Sequence, residues 1–239
     1  MTKISDYTRA TDLICRYFQL KLIKSRDAQS YLRNRRISQK SIKRFRLGYA
    51  PINGFRKFLE KYDLFEIASE LKLIDDRPFF TNRIIIPIIH AGLIVGFSGR
   101  ALSDIQPKYI NSPKSFLFNK REVLFGLHQS KRFMYKRGSI TLVEGYFDVI
   151  SLVQCGIGAV AVCGTSLSER HVEILSRWVR SIKIMMDGDK AGREAAKKMK
   201  KLLIKKMAVD VVKLPNDLDP DEYIRWKKSG RKKLKKVVK

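Results

Sequence analysis

Ile140-Thr-Leu-Val-Glu-Gly-Tyr-Phe-Asp148 and Ile182-Lys-Ile-Met-Met-Asp-Gly-Asp189 decide how this chain is read. In each, a short apolar run ends in acid and glycine, and a segment with helical spacing follows. Strand-length runs that alternate with helices place the strands parallel, and ligands bind in the crevice beyond their carboxyl ends. Glu144, Asp187 and Asp189 are therefore expected at one edge of a parallel sheet. Carboxylates converging there repel one another and bind protons unless a cation lies among them. Magnesium suits that role, because it takes oxygen ligands, keeps several waters and is shared with substrate phosphates. Gly145 and Gly188 let the backbone turn sharply beside the acids. A lone Asp-x-Asp is an ordinary solvated turn. A strand-ending Glu-Gly followed about forty residues later by Asp-Gly-Asp, each ahead of a helix, points to phosphate chemistry.

Around these motifs residues 139–214 alternate strictly. Strands are expected near 140–143, 159–163, 182–186 and 209–213, and helices near 147–155, 167–179 and 190–206. Gly156 is expected to end the first helix, and Ser166 with Glu169 to form a capping box for the second. The third opens after Asp189, with Ala195, Ala196, Met199, Leu202 and Leu203 on its apolar face and lysines 197, 198, 200, 201, 205 and 206 facing water or phosphates.

Glu144-Gly-Tyr-Phe-Asp148 and Asp187-Gly-Asp-Lys-Ala-Gly-Arg193 resemble the TOPRIM motifs in the form found in bacterial DnaG-type primases, and Asp217-Leu-Asp-Pro-Asp221 resembles the acidic segment that follows them. The likeness extends toward the amino terminus. Phe45-Arg-Leu-Gly-Tyr-Ala-Pro51 is similar to the start of the primase polymerase domain. Arg83-Ile-Ile-Ile-Pro, Gly96-Phe-Ser-Gly-Arg100, Pro107-Lys-Tyr-Ile-Asn-Ser-Pro113, Phe118-Asn-Lys120 and Leu124-Phe-Gly-Leu127 are similar to its basic-ridge lobe. The resemblance implies template and nucleotide guidance by Arg83, Arg100, Lys108, Asn111 and Lys120. From the residues alone, these are clustered cationic and polar groups interleaved with Tyr109, Phe116 and Phe118, a composition that suits single-stranded nucleic acid. Phe116 and Phe118 fit a hydrophobic core equally well.

The expected fold is α/β, a TOPRIM-type parallel sheet flanked by helices and preceded by a smaller α+β basic lobe. The expected division is 1–130 for that lobe, 131–224 for the catalytic subdomain and 225–239 for a basic tail with nine Lys or Arg and no acid. Residues 1–75 read as short helices. One apolar face carries Leu13, Ile14, Tyr17, Phe18 and Leu20, and a second begins with Ala28, Tyr31 and Leu32. Ser38 caps a third segment, with Ile42 and Phe45, that Gly48 and Pro51 terminate. Ile84–Ile89 and Leu93–Phe97 read as a hairpin, in which Pro87 calls for an edge or a bulge.

The chain has 239 residues, enough for one large domain or two lobes, and 44% of them are apolar. Fifty Lys and Arg against twenty-three Asp and Glu leave a formal charge of +27, which favours a polyanionic partner. An AT-rich codon bias would also raise lysine. Cys15, Cys155 and Cys163 are scattered, which supports neither disulfides nor zinc and suggests a reducing compartment. His90, His128 and His171 share no ligand spacing and read as surface or hydrogen-bonded residues. No window approaches a membrane span and no leader is evident, so a cytoplasmic protein of a bacterium, phage or mobile element is expected.

The expected activity is DNA-dependent synthesis of short RNA from ribonucleoside triphosphates on single-stranded DNA. Two or more Mg2+ or Mn2+ ions would be held by Asp187 and Asp189, with Asp148, Asp219 and Asp221 as further ligands and Glu144 as ligand or base. The alternatives are a TOPRIM nuclease acting on RNA or DNA, and a catalytically inactive nucleic-acid-binding module. DnaG-type primases normally carry an amino-terminal zinc-binding domain and a carboxyl-terminal helicase-binding domain. This chain corresponds to the middle domain. A replicative helicase or a separate zinc-binding protein would then be a partner, or the basic tail substitutes, or the sequence is a fragment or mobile-element form.

Overall fold

The computed structural model describes residues 3–164, 166–215, 218–226 and 234. The 225–239 tail and Asp217 thus fall almost wholly outside the described residues. The chain divides into two compact units, Met1–Asn119 and Lys120–Lys239.

The first unit begins with α1 (Lys3–Lys24), α2 (Arg26–Asn34) and α3 (Gln39–Phe45). It continues through β1 (Gly48–Ala50), α4 (Phe55–Lys61) and α5 (Phe65–Glu70) to β2 (Arg83–His90), β3 (Leu93–Ala101) and β4 (Tyr109–Asn111). Where several short helices were expected, α1 is a single helix of 22 residues. It buries Tyr7, Ala10, Ile14, Tyr17, Phe18 and Leu22, a helical stripe from which Leu20 is excluded at 59% exposure. Ser38 caps α3 as expected, accepting from the Ser41 amide at 3.2 Å. After it, Gly48–Ala50 form a strand that the breaker residues concealed. A Cβ at Gly48 would lie 2.6 Å from the Phe18 Cβ, so only glycine lets α1 approach β1 this closely.

The antiparallel sheet runs β1-β2-β3-β4. Pro87 lies beyond the three β2 residues that β1 pairs, and a bulge falls between Ile88 and Ile89. Its missing N–H therefore faces an open side. The core between helices and sheet is aromatic: Phe18 stacks on Phe55 at 5.2 Å and meets Phe97 edge-on at 5.8 Å.

The second unit runs β5 (Leu124–Phe125), α6 (Leu127–Arg137), β6 (Ser139–Val143), α7 (Tyr146–Gln154), β7 (Ala159–Val162) and α8 (Glu169–Ser176). It ends with β8 (Ser181–Ile184), α9 (Lys190–Leu203), β9 (Ala208–Val211) and α10 (Pro220–Trp226). Strand order is β5-β7-β6-β8-β9, parallel except for β5. Residues 120–130, assigned above to the first lobe, belong to this unit, because Leu124 and Phe125 pair with Val162 and Ala161. A two-residue strand carries no period to read.

The capping box of α8 also differs from expectation. Ser168 is the N-cap, and its partner is His171, whose Nδ1 accepts from the Ser168 amide at 3.2 Å. His171 is fully buried, and its Nε2–H reaches the carbonyls of Lys120 (3.1 Å) and Val123 (3.2 Å). Burial lowers its pKa, consistent with a neutral imidazole that ties 120–123 to α8.

Candidate active site

The chain steps from β6 out to β7 and then crosses back to β8, which lies on the other side of β6. The crevice between β6 and β8 is the point where the winding reverses, the usual ligand position of an open α/β sheet. Glu144 follows β6 and Asp187 follows β8, so both flank that point. Asp189 caps α9, its Oδ1 accepting from the Gly192 amide at 2.6 Å. Gly192 is obligatory here, because a Cβ would lie 2.3 Å from the Asp187 carbonyl oxygen.

Electrostatics register the crowding. Glu144 is exposed as a residue, yet surrounding protein raises its pKa, and Asp189 and Asp219 raise it further. The Asp187 carboxyl is pushed up to about 6 by burial, then by Glu144, Asp189 and Glu222. Its Oδ1 is buried with no hydrogen-bond partner among the described residues. Asp219 is also raised to about 6, chiefly by burial and then by Glu222, Asp221 and Asp187, against the opposing effect of the Glu222 amide. Asp219 accepts from that amide at 2.5 Å and starts α10.

Asp148 and Asp221 stand differently. Asp148 is 6% exposed and accepts from the Gly145 amide (2.9 Å) and the Asp221 amide (3.0 Å). Burial first, then Asp219, pushes its carboxyl well up. It fastens the Glu144–Gly145 turn to the start of α10. Asp221 is 1% exposed, with Oδ1 accepting from the Ser151 hydroxyl at 2.6 Å and Oδ2 paired with Arg225 at 3.2 Å. With both oxygens engaged by protein, Asp221 braces α7 against α10; the sequence expectation for it was a further metal ligand, directly or through water. Glu222 was missed, although the Asp219-x-x-Glu222 spacing of a capping box would have drawn attention to it.

Two grooves flank α9. One of about 740 Å³ runs from Glu144 past Leu167, Ala195 and Lys198. The other, of about 440 Å³, begins at Asp187 and Gly188 and is rimmed by Arg193, Lys197, Lys200 and Lys213. Both are of a size that holds a small ligand.

Of the expected nucleic-acid residues, Arg83 is 7% exposed, and its guanidinium donates to the carbonyls of Pro107 (2.9 Å) and Gly99 (3.3 Å). It holds the sheet of the first unit together and points inward, a direction composition cannot reveal. Arg100 is half-buried with its guanidinium 4.8 Å from the Tyr109 ring, Lys108 is exposed and Asn111 half-buried. Lys120, in the second unit, is exposed while His171 fixes its carbonyl. Phe118 is core at 1% exposure, and Phe116 is 56% exposed against Tyr7.

Among the described residues no three His, Cys, Asp or Glu side chains form a ready-made metal cage. The Asp187 Oδ1, buried without a hydrogen-bond partner among the described residues, in a carboxyl that burial and then Glu144 and Asp189 push up, fits a divalent cation. The three cysteines are free and buried. No helix among the described residues is long and apolar enough to cross a membrane.

Comparison with known proteins agrees with this geometry. The family described as DNA primase catalytic core, N-terminal domain, matches residues 17–131, and the Toprim-like family matches 141–224. DNA primase of Aquifex aeolicus is 39% identical over 240 residues, covering 96% of this chain and 48% of that protein. This chain therefore spans about half the length of that relative. The solved zinc-binding and RNA polymerase domains of the Aquifex aeolicus primase superpose with a TM-score of 0.93 at 36% identity, covering 100% of this chain and 61% of that one. A DnaG primase catalytic domain bound to ssDNA gives 0.85 at 30% identity, covering 96% and 77%. Toprim and primase core families generally use divalent metal. With this fold, these acids at the switch point and these relatives, the chain belongs to the family of DnaG-type primase catalytic cores.

Proposed function

We propose that this chain synthesises short RNA on single-stranded DNA, joining ribonucleoside triphosphates by nucleotidyl transfer. The observation that carries the reading is Asp187: a buried carboxylate oxygen without a partner, its carboxyl raised to about 6, beside Glu144 and Asp189 at the sheet's switch point. Mg2+ or Mn2+ ions held there by Asp187, Asp189 and Asp219 would supply Lewis-acid stabilisation of charge on the transferred phosphate and its leaving group. In the transfer itself a primer 3′-hydroxyl attacks the α-phosphorus and pyrophosphate departs. Glu144, whose raised pKa brings it nearer the working pH, serves as ligand or takes the hydroxyl proton. Asp148 and Asp221 keep the acid-bearing segments in place.

The single-stranded template is supported by the related catalytic domain solved with ssDNA. Lys108, Arg100 and Asn111 of the first unit and Lys120 of the second are the side chains we assign to strand and nucleotide contact, with Arg83 holding the backbone at Gly99 and Pro107. A replicative helicase or a separate zinc-binding protein is the partner we expect, in the cytoplasm of a bacterium or of a phage-infected host.

The test incubates the protein with labelled single-stranded DNA, ribonucleotides and magnesium or manganese. Products longer than two nucleotides support the reading, and their loss in Asp187→Asn with DNA affinity kept supports the site. Shortened substrate would replace it with the nuclease. Synthesis that survives in Asp187→Asn would refute the assignment.

A further inference from the structure

The second unit carries an aromatic pair that the carboxylate site does not use. Tyr135, on α6, is 77% exposed, the most open of the large hydrophobic side chains among the described residues. It meets the Trp178 ring edge-on at 5.7 Å, and the Lys131 ammonium lies 5.5 Å from the centroid of the same indole. Lys131 and Tyr135 are four residues apart on one helix, so they share a face. Arg132, Lys136, Arg137, Arg177 and Arg180 surround them in sequence with no acid among residues 131–138 or 176–181.

The position is fixed by the sheet. The Gly138 carbonyl accepts from the amides of Arg180 (2.9 Å) and Ser181 (3.3 Å), joining the end of α6 to the segment after α8. Residues 138 and 180 directly precede β6 and β8, which pair Ser139 with Ser181. The patch thus lies at the amino ends of the strands whose carboxyl ends deliver Glu144 and Asp187. Five residues of β6 at about 3.3 Å each separate the two ends by about 16 Å. A group that far from the acids takes no part in the chemistry.

Cations alone would be an ordinary solvated face. An open tyrosine, a half-exposed tryptophan and a cation stacked on it are what a strand with unpaired bases recognises, since every base has a face to stack and every linkage a charge to neutralise. We propose that Lys131, Tyr135 and Trp178 form a second contact for single-stranded nucleic acid, at the opposite end of the sheet from the carboxylates. It rests on the polymerase reading only in taking a single strand as the ligand.

The test measures anisotropy of labelled single-stranded DNA, and in a parallel arm RNA of equal length, against the full chain. Tyr135→Ala, at a site too exposed to disturb the fold, should weaken binding about five- to a hundredfold in at least one arm, and the weaker arm names the strand. Trp178→Phe should keep most of the affinity that Trp178→Ala loses. Lys131→Gln should lower the slope of log affinity against log salt by about one. Wild-type binding with Tyr135→Ala and Trp178→Ala both unchanged overturns the patch and leaves the polymerase reading standing. Absence of wild-type binding to either strand overturns both.

Discussion

Replacing Asp187 by asparagine should make the metal-free protein more stable while it abolishes synthesis. The Asp187 carboxyl sits at about 6 against an ordinary 3.8, through burial first and then Glu144, Asp189 and Glu222. A carboxyl that holds its proton more tightly folded than unfolded adds stability below pH 3.8, and that contribution is lost as pH rises through about 6. Near pH 7.5 the ionised group therefore opposes folding. At 1.36 kcal/mol for each pH unit the gap corresponds to about 3 kcal/mol. The side chain is only half-buried, and solvent screening reduces this to on the order of 1 kcal/mol. In a chain of this size that raises the melting midpoint by about 2–4 °C. Thermal unfolding of both proteins without metal at about pH 7.5 should show the variant melting higher. Near pH 4, where the wild-type group is protonated, the difference should shrink. Millimolar magnesium should stabilise wild type more than the variant, because an ion that binds only the folded acids shifts the balance by mass action. A variant that melts lower than wild type at pH 7.5, or whose advantage persists near pH 4, would refute this account of the acid cluster.

Gly192→Ala should leave helix content unchanged but reduce synthesis on the order of a hundredfold, since the added Cβ at 2.3 Å displaces the Asp187 backbone; circular dichroism and primer yield measured together check this. Asp148→Ala strands the buried amide of Asp221 and the partly buried amide of Gly145, and denaturant titration should show a loss of about 2 kcal/mol or more. Phe118→Ala, in the core, should cost about 3–5 kcal/mol, whereas Phe116→Ala, at a largely exposed ring that meets Tyr7 edge-on, should cost about 1 kcal/mol; equal losses would refute this division between core and surface.

The second sheet was legible in the sequence because its strands are apolar runs bounded by glycine or acid, and because strict alternation with helices dictates parallel pairing. Ser139–Val143, Ala159–Val162 and Ser181–Ile184 lie within two residues of where the pattern puts them. Leu124–Phe125 and Gly48–Ala50 escaped, since two or three residues display no period and exist as strands only through their neighbours. The placement of Glu144 after β6 and of Asp187 after β8, on neighbouring strands, follows from topology and could be read. The hold of Asp148 on the Asp221 amide could not, because it spans 73 positions and depends on α10 packing against α7. Ser168 displaced Ser166 as the cap of α8 for a similar reason: its hydroxyl also reaches the Arg121 carbonyl, and the buried His171 completes the turn. Arg83 exposes the limit of counting cations, since a guanidinium that satisfies backbone carbonyls looks the same in sequence as one that greets a phosphate.

Asp189 leads a divided life. One of its oxygens is committed to the Gly192 amide, so what it offers outward is chiefly the second oxygen, whose bearing is that of the first turn of α9. Inserting or deleting one residue in that turn would swing the register by about 100°. A change of length there, with every acid retained, would re-aim the oxygen and silence the enzyme as surely as removing it.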